Sequence, residues 1–426
     1  MLEQTPVRDT ESPTSVKAEE RTRTSQSRRQ PESPLEVSLL TGGKDEHYAF
    51  GVAMALIGLG VHLDVIGNDE LDRPELHADP RLHFLNLRGD QRPGASGREK
   101  MFRVLRYYGR LIHYAWTCKP TVFHILWNNR FEFFDRTLLM LFYKLLRKKV
   151  VLTAHNVNAG LRDSSDTFLN RLTLRIQYRL VDHIFVHTDK MKGELVSAFG
   201  VKNTAITVIP YPVNNAIPET DLSATEAKQR CGIKPEEKTI LFFGEIAPYK
   251  GLDLLVRAFL QLPDGCQGYR LIIAGRPKGG SEKCVAYLKE IQEEVRISPA
   301  AARITQRIEF IPDEETELYF KAADVLALPY RQIFQSGILF LAFGFGLPVV
   351  ASDVGSFRED VIDGETGFLC HPGDALELSR VIAKYFASGL YLNLGHNRHK
   401  IKEYVWEKHS WDLVARMTRD AYERGR

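Results

Sequence analysis

The chain has 426 residues, 44% hydrophobic and 26% charged, which is ordinary soluble globular composition with room for about two to four domains. Its 57 Lys and Arg against 54 Asp and Glu leave +3, so global charge points to no nucleic-acid partner. Five scattered cysteines (Cys118, Cys231, Cys266, Cys284, Cys370), none in a CxxC, exclude a disulfide scaffold and a zinc ribbon and fit a reducing compartment. The longest uncharged apolar run, Gly337 to Ala351, has 15 residues and holds Gly346 and Pro348. A spanning helix needs about 20. The polar start lacks the apolar core of a signal peptide, so the expected location is the cytoplasm, or the cytoplasmic face of a membrane at its surface.

Residues 1–35 carry six acidic and six basic residues with little apolar surface, and read as a disordered tail. From Leu35 short apolar strands alternate with helical patterns. LEVSLLTGG, VHLDVIG, LHFLNL, TVFHIL, KVVLTAH, DHIFVH and AITVIP read as strands. HYAFGVAMALIGLG, MFRVLRYYGRLIHYAW, RTLLMLFYKLLRK and DTFLNRLTLRIQYRLV read as helices between them. The Pro-, Asn- and Ser-rich stretch 211–225 reads as a linker. The alternation restarts with KTILFFG, YRLIIAG, RIEFI, DVLALP and LPVVAS, followed by VIDGETGFLC, which reads as a hairpin. This order predicts an α/β protein of two doubly wound Rossmann-like domains facing across a cleft. The expected boundaries are 36–215 and 216–400, with a C-terminal helix over 401–426 packing back on the first domain.

Four segments carry chemistry. In TGGKDEH (41–47), Gly42 and Gly43 let backbone approach a ligand at a strand's carboxyl end. In LTAHN (152–156), His155 stands just past an apolar strand, where binding groups collect. In LFFGEIAPYKG (241–251), a strand ends at Gly244, and Lys250 and Gly251 open a helix whose amides attract anions, which suits a phosphate. Gln335, Ser336 and Gly337 read as the capped start of a buried apolar helix aimed at the cleft, a cradle for a diphosphate. No D-x-D and no cluster with metal-ligand spacing occurs, so no metal and no other cofactor is expected.

Taken in order, these segments resemble a family-4 (group 1) retaining glycosyltransferase of the two-domain GT-B fold, from residue 36 to about 420. The resemblance rests on TGG with Gly60-Val61-His62, LTAHN, FFG…YKGLDLL, IIAG, AADVLALPY, GLPVVASDVG and DGETGFL. It implies sugar transfer from a nucleotide-diphosphate sugar with retention of configuration, by front-face attack and without metal. It implies that Lys250 contacts the donor diphosphate and that His155 lies near the transferred sugar. Gly42 and Gly43 would sit beside donor and acceptor, Gly244 and Gly251 would flank the lysine, and Ser336 and Gly337 would meet the phosphates. Ile311 would lie where the base is held by backbone groups. Three departures stand out. Glu245 and Ala247 occupy positions where relatives carry Arg, and the usual glutamate pair maps to Ile333 and Leu341.

Residues 91–150 hold 13 Lys and Arg, among them Arg147, Lys148 and Lys149, against three acids, a net of +10. Aromatics are interleaved, which fits either basic amphipathic helices that meet an anionic membrane surface or the solvated helix faces of an acceptor domain. With the resemblance, the expected activity is glycosyl transfer to a glycan or lipid-linked acceptor, in exopolysaccharide or glycolipid synthesis. The alternative is a catalytically weak GT-B scaffold or nucleotide-binding partner protein.

Overall fold

Two parallel sheets, each buried on both faces, organise the chain. The computed structural model describes residues 34–91, 96–162, 166–214 and 217–424. The first sheet contains β1 (Glu36–Leu40), β2 (His62–Gly67), β3 (Leu82–Asn86), β4 (Val122–Ile125), β5 (Lys149–Thr153), β6 (His183–Val186) and β7 (Ile206–Val208). Their spatial order is β3-β2-β1-β4-β5-β6-β7. The second contains β8 (Lys238–Phe243), β9 (Tyr269–Ala274), β10 (Ile304–Arg307), β11 (Val325–Leu328), β12 (Val349–Ser352) and β13 (Gly367–Cys370), in the order β10-β9-β8-β11-β12-β13. All pairings between these strands are parallel. Consecutive residues such as Val150 and Val151, or Leu271 and Ile272, are fully buried. Strands apolar on both faces are what a sheet covered by helices on both sides requires. These are the two doubly wound domains expected.

The helices that shape the site are α1 (Glu46–Gly58), α2 (Gly97–Thr117), α3 (Phe168–Leu180), α4 (Leu252–Leu260), α5 (Asp313–Ala322), α6 (Gly337–Gly344), α7 (Leu394–Lys408) and α8 (Trp411–Glu423). Each sheet reverses its strand order once, between β1 and β4 in the first and between β8 and β11 in the second. Ligand crevices form at the carboxyl ends of strands flanking such a reversal. The loops after β1, β4, β8 and β11 carry Gly42, Trp127, Gly244 and Ser336 respectively.

Local structure departs from expectation at several points. Of the tail 1–35, residues 1–33 lie outside the described residues, while Leu35 is buried in the first core. Residues 215 and 216 of the linker also lie outside, and that stretch already contains the capping Ser223 of the helix Ala224–Arg230. The strand placed at RIEFI ends at Arg307 instead, so Phe310 is exposed. VIDGETGFLC is no hairpin. Its last four residues form β13, parallel to β12, and the short helix Phe357–Asp360 crosses between them. The Asp363-Gly364 turn merely redirects the chain into that parallel register.

The C-terminal segment is two helices broken at His409. Ser410 caps α8 by accepting from Leu413 N. The helix α7 packs against α6 in the second domain, and α8 packs against α1 in the first. Gly51 of α1 makes room for this, because a Cβ there would lie 2.1 Å from the Trp411 ring.

Candidate functional site

Three left-handed residues shape the loop after β1: Gly42 at φ 67°, Gly43 at 65° and Asp45 at 40°. A Cβ at Gly42 would stand 2.5 Å from the Trp127 carbonyl oxygen, so a side chain there is excluded. Asp45 caps α1 by accepting from Tyr48 N. Trp127 lies flat on His155, with ring centroids 4.1 Å apart and planes at 4°. Tyr48 meets the same imidazole edge-on at 4.7 Å. Gly42 and His155 thus belong to one wall.

The protonation of His155 follows from its hydrogen bonds. The His187 Nδ1 lies 3.3 Å from the Ile209 carbonyl oxygen, which can only accept, so Nδ1 donates. Desolvation lowers the His187 pKa to about 4, so its Nε2 is an acceptor. That Nε2 lies 3.1 Å from His155 Nδ1, which therefore donates. His155 keeps some exposure, yet its aromatic neighbours desolvate it and its pKa falls well below the usual value, helped by His187. The ring is neutral, and Nε2 is a lone-pair acceptor with no partner among the described residues. Such an atom accepts from a hydroxyl and does not supply charge.

The facing wall gathers the other expected residues. Lys250 is 8% exposed, and its Nζ lies 5.7 Å from the Tyr330 ring centroid. Gly244, at φ 101°, is so close that a Cβ there would lie 3.6 Å from both Lys250 Nζ and Ile338. Gly251 is left-handed at φ 68°, and a Cβ there would lie 2.0 Å from the Pro329 carbonyl oxygen. Ser336 is buried at the start of α6, but its side chain makes no capping hydrogen bond, contrary to expectation. The first turn of α6 thus has no side-chain cap, and its Ile338 lies close to the Lys250 ammonium around Gly244. Behind them, Arg331 donates twice to Asp253 of α4, at 2.9 and 2.6 Å, and fixes the loop after β11.

Tyr211, from the connection between the domains, joins the two walls. Its hydroxyl donates to Asp45 Oδ2 at 3.4 Å, its ring stacks on Phe340 of α6, and a Cβ at Gly337 would lie 3.1 Å from its oxygen. Nearby, His47 of α1 pairs with Asp313 of α5 at 3.2 Å across the cleft. A cavity of 430 Å³ spans the walls from Asp45 and Glu46 to Glu245 and Phe310.

The Ile311 side chain is buried in the second core, which leaves only its backbone for the expected contact with a base; beside it the exposed Phe310 ring lies 4.8 Å from the Arg276 guanidinium. Leu341 is core, and Ile333 packs against it. The carboxyl near α6 is instead Asp360, which burial raises to about 7 and which accepts weakly from Gln335 at 3.4 Å. Arg88, Asn129, His187 and Tyr211 were missed. Each is a single side chain outside any motif, and only the folded chain brings it to the site. Among the described residues no group of three or more His, Cys, Asp or Glu could hold a metal ion.

Paired doubly wound domains with a phosphate-type helix start facing a glycine loop define a GT-B architecture. Residues 46–216 match the family described as Glycosyltransferase Family 4, and residues 237–388 match Glycosyl transferases group 1. The chain belongs to this family of glycosyltransferases. It is 25% identical over 344 residues to the D-inositol 3-phosphate glycosyltransferase of Corynebacterium aurimucosum, spanning 77% of this chain and 79% of that one. The Mycobacterium marinum protein of the same name is 32% identical over 193 residues, 44% of this chain and 38% of that one. Among solved structures, sucrose-phosphate synthase from Thermosynechococcus elongatus superposes with a TM-score of 0.72 at 18% identity, covering 92% of this chain and 99% of that one. Anabaena HepE in complex with UDP and glucose gives 0.70 at 16% identity, covering 91% and 99%.

Proposed function

We propose that the chain moves a sugar from a nucleotide-diphosphate sugar on the second domain to a hydroxyl of a glycan or lipid-linked acceptor on the first. In this reading configuration is retained and neither metal nor cofactor takes part. The observation that carries it is the convergence of Lys250 Nζ, Gly244 and the uncapped start of α6 opposite His155. As the sugar C1–oxygen bond breaks, its electron pair leaves on the diphosphate, where the ammonium and the amides stabilise it. The acceptor oxygen bonds to C1 on the same face and its proton passes to the departing phosphate oxygen. His155 Nε2 accepts from a sugar hydroxyl and orients the ring.

A membrane-surface role draws on separate support. Fourteen of the twenty large apolar side chains exposed among the described residues lie between 101 and 172. Met101, Phe102, Leu105, Ile112 and Trp116 form one outward stripe of α2, flanked by Arg98, Arg106 and Arg110. Trp116 stacks on Phe142, which extends the surface to Leu138, Leu141 and Leu145, and Arg136 bonds Asn170 of α3, which exposes Phe168 and Leu169. Apolar ridges edged with cations suit an anionic bilayer. Polysaccharide or glycolipid synthesis at the cytoplasmic face fits this placement.

UDP-sugars are the first donors to try, since a structural neighbour holds UDP and glucose. A thermal-shift screen of UDP-, ADP- and GDP-sugars, followed by donor hydrolysis with NMR of the released anomer, tests the proposal. Hydrolysis with retention is expected. Nucleotide binding without hydrolysis or transfer by any donor would leave a binding scaffold.

A further inference from the structure

Tyr211 lies on the connection between the domains, and its one ring packs against the hydrophobic cores of both. It stacks on Phe340 of α6 with centroids 5.3 Å apart and planes at 21°. On the first-domain side it meets His187 edge-on at 5.0 Å and lies 5.7 Å from the Tyr48 ring. Wedged between aromatic neighbours, the ring has little freedom to turn, so its hydroxyl is carried to a fixed point.

That point is the first turn of α6. A Cβ at Gly337 would stand 3.1 Å from the Tyr211 oxygen and 3.6 Å from the ring. The glycine makes room for the phenol, and a side chain there would press on it. Ile338, the next residue of α6, approaches the Lys250 ammonium around Gly244. The hydroxyl therefore stands on the wall to which the transfer reading assigns the diphosphate.

The hydrogen bond it makes is weak. The hydroxyl donates to Asp45 Oδ2 at 3.4 Å, whereas a hydroxyl on a carboxylate settles at about 2.5–2.7 Å. The other oxygen of Asp45 is committed to capping α1 through Tyr48 N. Burial, with the Asp45 charge beside it, holds the Tyr211 phenol well above the ordinary tyrosine value, so the proton stays on as a donor. A donor held this loosely gains by turning to an oxyanion within direct reach.

We infer that the Tyr211 hydroxyl is a substrate contact, leaving Asp45 to donate to a β-phosphate oxygen of the nucleotide-diphosphate sugar at the first turn of α6. The inference rests on reading the cleft as the transfer site. It makes the connection between the domains part of the binding machinery, through a side chain that no motif of the sequence contains.

The test titrates the full chain by calorimetry with UDP, ADP and GDP, each beside its monophosphate. For the base that binds, the ratio of monophosphate to diphosphate dissociation constants isolates the β-phosphate. Y211F keeps the ring and its stacking. Its ratio is expected to fall about tenfold, with monophosphate affinity within about twofold of wild type. A residue that only shapes the wall would move both nucleotides alike or neither, and an unchanged ratio in Y211F overturns the inference. D45N separates the two uses of the hydroxyl. Asparagine still caps α1 and tolerates the left-handed backbone there, so its ratio should equal or exceed that of wild type. A ratio lowered in D45N as in Y211F would mean that the hydroxyl acts by holding Asp45, and the inference falls. If wild type binds a diphosphate and Y211F keeps its ratio, this inference alone fails. If wild type binds no diphosphate of any of the three bases, the transfer reading fails and the inference with it.

Discussion

Lys250 is the residue on which the proposed chemistry turns. Its ammonium is buried against Gly244 and the start of α6, so it should act most strongly as charge develops on the leaving diphosphate. Lys250→Ala is expected to lower kcat by about a hundredfold, on the order of 3 kcal/mol, with a smaller change in donor affinity. Lys250→Arg should rescue poorly, because a planar fork does not fit a pocket shaped to a compact ammonium. Steady-state rates and donor titrations on the same preparations check both, and equal rates for wild type and alanine variant would remove the lysine from the site. Gly251 is a different kind of demand. A Cβ there meets the Pro329 carbonyl oxygen at 2.0 Å in a left-handed backbone, so Gly251→Ala should cost about 2 kcal/mol or more of stability. A denaturant melt reads this, and an unchanged midpoint would count against the packing described.

At the scale of elements, the helix α2 serves two surfaces. Tyr107, Tyr108 and Leu111 bury one face, while Met101, Leu105 and Trp116 remain outside. Exchanging Leu105 and Trp116 for Ser should reduce flotation with anionic vesicles and leave the unfolding free energy within about 0.5 kcal/mol of wild type. Unchanged flotation would make the stripe a bare helix face. The Lys148 and Lys149 side chains, by contrast, take no part in such a surface. Lys148 Nζ donates to the Pro120 carbonyl at 2.8 Å, and Lys149 Nζ donates to carbonyls of Tyr422 and Arg424 at the end of α8. Charge counting along the chain cannot tell these from Arg106, because both kinds sit in the same basic run. Strands were legible because a buried parallel strand is a short apolar run, as at Val150–Leu152. The DG turn misled because turn chemistry marks a change of direction and not which strand comes next. His155 was legible as a group just past a strand end, and Lys250 as a lysine at a helix start. Arg88 was not, since only the spatial order of strands brings the loop after β3 to the loop after β4.

For the molecule as a whole, two sets of histidines act with opposite sign. Burial lowers His124 to about 3 and both His183 and His187 to about 4. Unfolding frees them to take up protons, so their contribution is full above pH 6.5 and declines as pH falls from there. The melting temperature should therefore drop between about pH 6.5 and 5; a flat profile would contradict neutral buried rings. His47 runs the other way. Its hydrogen bond to Asp313 raises it above 6.5, despite some desolvation, and the same bond lowers Asp313. The pair contributes below the ordinary histidine range and is lost as pH rises through the raised value. Since it spans the cleft, the free protein should open slightly on going from about pH 6 to 8, read as a larger radius of gyration, and Asp313→Asn should abolish that change.

The chain passes between the two halves twice, once near Tyr211 and once near His409. These passages are bonded to each other: Val213 N donates to the His409 carbonyl at 3.0 Å, and His409 Nδ1 lies 2.9 Å from the Tyr211 carbonyl. A single tether would let one half swivel and twist freely. Two laced strands act as the pin of a door and leave essentially one permitted swing. The halves therefore return to the same register on every closing stroke, and a protease cutting only one passage would leave a nicked molecule whose halves stay together under native conditions and separate on denaturing gels.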